Sequence, residues 1–185
     1  MVGRPDTTFV FPLFPNVRIG GGPASKSNSP NFPVLASDIT SLRFETDYKY
    51  LTLPTGTYNL AYEMLFFDQS QPPPGTIPRA EVMIWIHATF TQPPSADRGN
   101  VSDGTNFYHY FNWTREDGRL YAAFISEGKP QFEAHHSVDA RALLNNVVLN
   151  PNWYLLGVEL GSEIVKGSGK IQITQFSLNI NGKES

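Results

Sequence analysis

Residues 79–88 read RAEVMIWIHA and alternate strictly between two kinds of side chain. Successive side chains of a β-strand point to opposite faces, so the stretch predicts a strand with two unlike faces. One face is apolar and predicts a core, whereas the other is too rich in large groups for an ordinary solvated face. We expect it to be the floor of a groove. The apolar face carries Val82, Ile84, Ile86 and Ala88; the groove face carries Glu81, Met83, Trp85 and His87.

The same alternation allows a plainer interpretation of that second face. Met83 and Trp85 would pack beneath a neighbouring loop, and Glu81 would be only a charge at the rim. A single glutamate on a strand is weak evidence for catalysis, because structural carboxylates are common. Both interpretations stay open at the level of this one strand.

Composition excludes several classes of function. Lys+Arg number 14 against 17 Asp+Glu, the formal net charge is -3, and no basic run occurs, so neither nucleic acid nor an anionic membrane is expected as a partner. Cysteine is absent and the 4 histidines lack the spacing of a zinc motif, so we expect no structural metal. No apolar run reaches the roughly 18 residues that a membrane span needs.

A second alternating stretch, residues 57–67, precedes the first and is separated from it by a proline-rich connection. The two stretches predict a long antiparallel hairpin. Glu63 lies in an otherwise largely apolar row of the first strand, and burial of an unpaired carboxylate is costly. The hairpin brings Glu63 near Glu81, and two neighbouring carboxylates raise the pKa of one of them.

The rest of the chain predicts further short strands joined by Gly- and Pro-rich turns. Residues 20–33 and 90–105 are expected to be loops, 106–114 and 119–126 a second hairpin, and 153–163 a strand in which small Gly157 leaves room for a ligand. Only 138–148 has helical spacing, with Ser137 as N-cap and His135-His136 in a preceding loop. A change of apolar parity after Ile173 predicts a bulge in the last strand. The expected fold is all-β, with two packed antiparallel sheets and one short helix.

Three blocks of the chain together resemble glycoside hydrolase family 12, the β-jelly-roll endoglucanases. Glu81-Val82-Met83-Ile84-Trp85 matches the family's nucleophile segment, and Ala61-Tyr62-Glu63-Met64 stands where the family places Ala-Tyr-Asp-(Leu/Ile). Trp153-Tyr154-Leu155 followed by Gly161-Ser162-Glu163 is similar to the family's acid/base segment, with Ile164-Val165 in place of the usual Pro-Phe/Trp. The resemblance implies one domain over residues 1–185 that lacks the family's N-terminal strands, which carry an Asn-Asn-x-Trp-Gly segment.

The resemblance also implies a site and a reaction. Glu81 would be the nucleophile, Glu163 the acid/base and Glu63 an auxiliary carboxylate, with Met83, Trp85 and His87 lining the sugar path and Glu159 a charge at the rim. The implied activity is a retaining endo-β-1,4-glucanase that needs no cofactor. It would be an extracellular monomer acting on cellulose or mixed-linkage β-glucan. The alternatives are a xyloglucan-specific endoglucanase and a non-catalytic, truncated paralogue that only binds glucan.

Overall fold

The computed structural model describes residues 15–90, 92, 94–128, 131 and 133–185. These residues form many short strands, one α-helix (α1, Ala140–Leu144) and two 3-10 turns. None of the described helical segments has the length and apolar character of a membrane span. The strands in chain order are β1 Asn16–Gly20, β2 Val34–Leu35, β3 Leu42–Thr52, β4 Thr57–Phe67, β5 Ala80–Ala88, β6 Asp97–Ser102, β7 Phe107–Thr114, β8 Leu120–Ser126, β9 Glu133–Asp139, β10 Tyr154–Gly161, β11 Ile164–Lys166, β12 Lys170–Ile180 and β13 Lys183–Glu184.

The strands pair into two sheets. The larger has the order β1-β10-β4-β5-β8-β7-β6, with β2 added to β10 and β11 to β4; the smaller has the order β13-β12-β3-β9. Both predicted hairpins, β4–β5 and β7–β8, are confirmed as antiparallel pairs. They join through β5 and β8, which run parallel, so the larger sheet is mixed rather than purely antiparallel as expected. This junction puts β5 in the middle of the sheet.

The alternation along β5 separates two hydrophobic clusters. Val82, Ile84 and Ile86 belong to the main core, which also includes Phe44 of β3 in the smaller sheet. A second, smaller cluster contains Met83 and Trp85, from the other face of β5. Burial of one such side chain stabilises the fold by roughly 1.5–3 kcal/mol. The core therefore fixes which face of the larger sheet remains for the polar side chains of β4 and β5.

The helix is shorter than the predicted 138–148, and the predicted N-cap, Ser137, is wrong. Asp139 is the N-cap, and its carboxylate accepts a hydrogen bond from Ala142 N at 3.1 Å. Ser137, the predicted cap, lies inside β9. Pairing of β9 with β3 holds the residues before Ala140 extended, because Val138 and Asp139 lie opposite Phe44 and Arg43.

Two predicted loops contain strands. His135 and His136, expected before the helix in a loop, lie in β9, where His135 is 2.8 Å from an oxygen of Asp47 on β3. The predicted loop 90–105 includes β6, which pairs with β7. Neither strand has an alternating apolar face, so the pairing partner supplies what the local pattern lacks. The predicted bulge is confirmed as a register shift between Ile173 and Gln175.

Candidate active site

Glutamates cluster on the face of the larger sheet that points away from the main core. Glu63 of β4 lies directly opposite Glu159 of β10 on one side and Met83 of β5 on the other. Glu81 of β5 is one position further along the same face, opposite Leu65 and Tyr121. The two-residue period of three adjacent strands thus gathers these carboxylates in neighbouring rows.

Glu81 is buried and meets two arginines. Arg119 Nη1 lies 2.8 Å from Glu81 Oε2, and Arg115 Nη2 lies 3.3 Å from Glu81 Oε1. Burial raises the pKa of Glu81, and the two guanidinium groups oppose that rise because they favour the ionised carboxylate. Glu81 is therefore not the solvated rim charge of the plainer interpretation. The arginines flank the β7–β8 turn, and the sequence analysis did not assign them a role.

Glu163 follows β10 and is held by Asn59 at the start of β4. Asn59 Nδ2 donates to Glu163 Oε2, and Asn59 Oδ1 accepts from the backbone N–H of Glu163 at 2.9 Å. Burial raises the pKa of Glu163 to about 7; the hydrogen bond from Asn59 lowers it, repulsion by Glu81 raises it, and Arg115 lowers it. A carboxyl group with this pKa holds a proton over much of the neutral range and can release it.

Glu63 lies in the part of the cluster where carboxyl groups crowd one another most. Burial raises the pKa of Glu63 to about 8, with repulsion from Glu81, Glu159 and Glu163 adding to the rise and Arg119 opposing it. Its protonated form therefore predominates at pH 7. A protonated carboxyl group can donate a hydrogen bond to a neighbouring carboxylate, which an ionised one cannot.

The expected rim position of Glu159 is wrong. The side chain is buried, pairs with Arg18 of β1, and accepts a hydrogen bond from Asn16 Nδ2. The room expected above Gly157 is also filled: an added Cβ there would lie 2.8 Å from the backbone oxygens of Ile19 and Gly21. Strand β1 and the chain after it therefore occupy the space directly above Gly157.

Met83 and Trp85 lie on the predicted face but have no exposed surface. Tyr121 Oη donates to Met83 Sδ at 3.2 Å, and the Trp85 ring centroid is 4.9 Å from that of Phe90. An indole without exposed surface cannot stack on a sugar ring. The predicted direct contact of Met83 and Trp85 with a sugar is therefore wrong, and the two side chains instead pack beneath the surface of this face. The alternation gave the face of these side chains, but not the side chains that cover them.

His87 does not lie on the face of the carboxylates, whereas Trp113 does. A register shift between Leu60 and Ala61 puts His87 opposite Leu60 of the main core, while Ala88 lies opposite Asn59 and packs against the smaller cluster. His87 is 8 % exposed, lies 2.9 Å from Tyr58 Oη through Nε2, and has its pKa lowered by burial. Trp113, which the sequence analysis left without a role, lies opposite Tyr121 in the row that contains Glu81. It is half-buried, with its ring centroid 4.4 Å from that of Tyr121. Its position in that row depends on the β5–β8 pairing, which no local pattern reveals.

We compared the chain with known protein families and solved structures. No model of a known protein family matches the chain. A metagenome-derived glycoside hydrolase family 12 endoglucanase superposes with a TM-score of 0.79 at 21% identity, over 94% of this chain and 76% of that one. A family 12 xyloglucanase from Bacillus licheniformis superposes with a TM-score of 0.80 at 21% identity, over 96% and 78%. The chain has the fold of the family 12 glycoside hydrolases. The predicted β-jelly-roll is thereby confirmed.

One curated relative is similar in sequence. Endoglucanase S of Pectobacterium parmentieri is 25% identical over 163 residues, which are 85% of this chain. The chain spans 61% of the length of that relative. In the family 12 fold seen here, the three blocks that carry the resemblance fall on β4, on β5, and on β10 with the residues beside its two ends; these strands are neighbours in the sheet. Blocks far apart in sequence therefore meet at one site.

Proposed function

We propose that this chain is a retaining endo-β-1,4-glucanase that hydrolyses internal bonds of cellulose or mixed-linkage β-glucan. The observation that carries the proposal is the division of charge between two neighbouring glutamates. Glu81 is contacted by two guanidinium groups, which favour its ionised form, whereas burial raises the pKa of Glu163 to about 7. Carboxyl groups with unlike environments on one face are what a nucleophile and a proton donor require.

In the proposed reaction a Glu81 oxygen attacks the anomeric carbon as the glycosidic C–O bond breaks. Glu163 gives its proton to the departing oxygen, which leaves as a sugar hydroxyl. Water then attacks the anomeric carbon of the glycosyl-enzyme, its proton passes to Glu163, and the bond to Glu81 breaks. Two inversions at one carbon give net retention, and Glu163 ends protonated as it began. The two carboxylates supply all the chemistry of this cycle, so no cofactor takes part in the proposal.

Most of the remaining predicted residues have supporting roles in the proposal. Glu63, protonated at neutral pH, would donate a hydrogen bond within the carboxylate cluster and so stabilise the ionised form of a neighbour. Met83 and Trp85 would support the floor from beneath, whereas His87, opposite Leu60 of the main core, has no role in the proposal. Half-buried Trp113, in the row of Glu81, would offer its ring to the C–H groups of a pyranose. Because a polymeric glucan is found outside cells, we propose that the chain acts extracellularly. We also propose that it acts as a monomer.

A binding-only protein is the second candidate. It is favoured by the burial of Met83 and Trp85, which removes two of the predicted sugar contacts, and by the ion pairs that engage both oxygens of Glu81. Xyloglucan is the alternative substrate, since one of the two superposed structures is a xyloglucanase. Both alternatives can be separated from the leading proposal by one set of assays.

The test is to incubate the purified chain with barley β-glucan, carboxymethylcellulose and xyloglucan and to measure new reducing ends. Glu81→Gln and Glu163→Gln are assayed in parallel, with Glu45→Gln, an exposed glutamate of the smaller sheet, as the matched control. We expect activity in the wild type and the control and a loss of about 1000-fold or more in Glu81→Gln. The anomeric form of the first product, read by NMR, should be that of the substrate bond. A folded wild type that binds glucan without releasing ends would favour the binding-only candidate.

A further inference from the structure

The turn between β7 and β8 carries the two arginines that contact Glu81, and hydrogen bonds within the turn order its backbone. Arg115 N donates to Arg119 O at 2.8 Å, and Gly118 N donates to Arg115 O at 3.0 Å. Asp117 Oδ1 accepts from Arg119 N at 3.0 Å. Gly118 has a φ of +81°, a conformation that favours glycine. The backbone positions from which both side chains start are therefore set by hydrogen bonds within the turn.

Each guanidinium group is also held by a contact other than that with Glu81. Arg119 Nη2 is 3.0 Å from Asp117 Oδ2, and Arg115 Cζ lies 4.5 Å from the centroid of the Tyr121 ring. The side chains are 33 % and 21 % exposed for Arg115 and Arg119, so both are shielded from much of the solvent. Their contacts with Glu81 are consequently worth more than those of an exposed surface pair.

The charges around Glu81 are unevenly distributed. Glu159 has its own cation in Arg18, while neither Glu63 nor Glu163 has an ion pair among the described residues. Arg115 and Arg119 both contact Glu81, so Glu81 is the carboxylate of the cluster with two cationic partners. The charged and titratable groups that influence Glu81 or are influenced by it are Glu63 on β4, Glu163 after β10, Arg115, Asp117 and Arg119 on the turn, and Tyr121 on β8.

We propose that Arg115 and Arg119 are positioning residues that fix the orientation of the Glu81 carboxylate and keep it ionised while Glu163 carries the proton. The inference rests on the proposed function, in which Glu81 is the nucleophile. One guanidinium group binds each carboxylate oxygen, so the plane of the carboxylate is fixed as well as its charge. When the glycosyl-enzyme forms, Glu81 loses its charge, and Asp117 still retains Arg119 in the turn.

The test measures the titration of Glu81 directly, before any assay of turnover. The chain is labelled with carbon-13 at the glutamate side-chain carboxyl carbons, and the signal of Glu81 is assigned by its loss in Glu81→Gln. Titrations compare the wild type with Arg115→Gln, Arg119→Gln and the charge-preserving Arg119→Lys. Arg43→Gln is the matched control, because Arg43 forms an exposed pair with Asp139 at the smaller sheet. Circular dichroism and thermal melts verify that each variant is folded.

We expect the pKa of Glu81 to rise by about one unit or more in each Gln variant and to stay near its wild-type value in Arg119→Lys and Arg43→Gln. The acid limb of kcat/KM should then move to higher pH, so that activity below it falls about tenfold per unit. Arg115→Gln should move the alkaline limb as well, because Arg115 also acts on Glu163. A role confined to holding the fold would lower the melting temperature without moving either limb.

The outcomes distinguish this inference from the proposed function. An unchanged titration of Glu81 in folded Arg115→Gln and Arg119→Gln overturns the inference, even if the wild type is an active glucanase. A changed titration with an unmoved pH profile also overturns it, because the charge would then have no part in the reaction. Full activity of Glu81→Gln would instead overturn the proposed function, and the positioning role with it.

Discussion

Asn59 uses both ends of its side-chain amide on one residue, with Nδ2 2.5 Å from Glu163 Oε2 and Oδ1 2.9 Å from Glu163 N. The backbone N–H of Asn59 in turn donates to Glu163 O at 3.1 Å. This closed pair links the start of β4 to the residues that follow β10. The proposed acid/base is therefore held in place by a neutral side chain rather than by an ion pair.

Replacement of that amide should impair the reaction more than the fold. In Asn59→Ala, Glu163 loses a donor to its carboxylate, so its pKa should rise above about 7 and the alkaline limb of kcat/KM should move upward. We expect kcat/KM at its optimum to fall about 10- to 100-fold and the free energy of unfolding to fall by about 1–3 kcal/mol. A pH series with each variant measures both limbs. Asn100→Ala, at an exposed position of β6, is the control, and an equal effect there would contradict a specific role.

The wild-type pH profile should itself reflect the proton of Glu163. The proposed donor must be protonated in the free enzyme, and burial raises its pKa to about 7, so kcat/KM should fall as the pH rises through about 7. Glucan hydrolysis at low substrate concentration, measured from pH 4 to 9, gives the alkaline limb. A limb near the ordinary glutamate pKa of 4.5, or no limb below pH 9, would remove Glu163 from the role of acid.

Glu63 should make the fold less stable in alkali. Its folded-state pKa of about 8 is above the ordinary 4.5, so its contribution is fully present below pH 4.5 and is lost as the pH rises through 8. Glu63→Gln removes this titration, and we expect it to raise the free energy of unfolding at pH 9 by about 1–3 kcal/mol relative to wild type, but not at pH 5. Urea unfolding at the two pH values measures the difference. Glu45→Gln, exposed on β3, should show no such dependence on pH.

His136 should give the opposite dependence on the acid side. Burial lowers its pKa from 6.5 to about 4, so its contribution is present above pH 6.5 and is lost as the pH falls toward 4. The ring lies 3.3 Å from Tyr62 Oη through Nδ1. His136→Asn should flatten the stability curve between pH 6.5 and 4, as measured by thermal melts. The same slope in wild type and variant would assign the acid loss of stability to other groups.

Gly157 tests the packing of the edge strand. A Cβ at this position would meet the backbone oxygens of Ile19 and Gly21 at 2.8 Å, and backbone cannot move aside as a flexible side chain can. Gly157→Ala should therefore destabilise the fold by about 1–3 kcal/mol. Gly128→Ala is the control, because its nearest neighbour is a serine hydroxyl at 3.4 Å. Equal melting temperatures for the two variants would show that β1 detaches readily.

Local alternation predicted the strands that carry the candidate site, and the three sequence blocks predicted that Glu63, Glu81 and Glu163 belong together. Local alternation could not predict the pairing of β5 with β8, because a parallel pair between two hairpins is set by contacts distant in sequence. The roles of Arg115 and Arg119 were missed for that reason. The burial of Trp85 was missed because a two-residue period fixes the face of a side chain but not what covers it. Strand β9 was missed because its pattern is mostly polar and β3 stabilises it from outside.

The parallel pairing of β5 and β8 brings together Glu81, which lies on a central strand, and two arginines that lie on a surface connection. Glu81 is built into a central strand, where a substitution of its neighbours would disturb the core, whereas its two cations stand at the ends of the five-residue connection 115–119 between β7 and β8. By the proposed positioning role, changes in that connection would alter the pH at which Glu81 ionises without a change in the sheet. Natural variation or directed evolution confined to residues 115–119 could therefore adapt such a chain to acidic or alkaline surroundings while its fold stays the same.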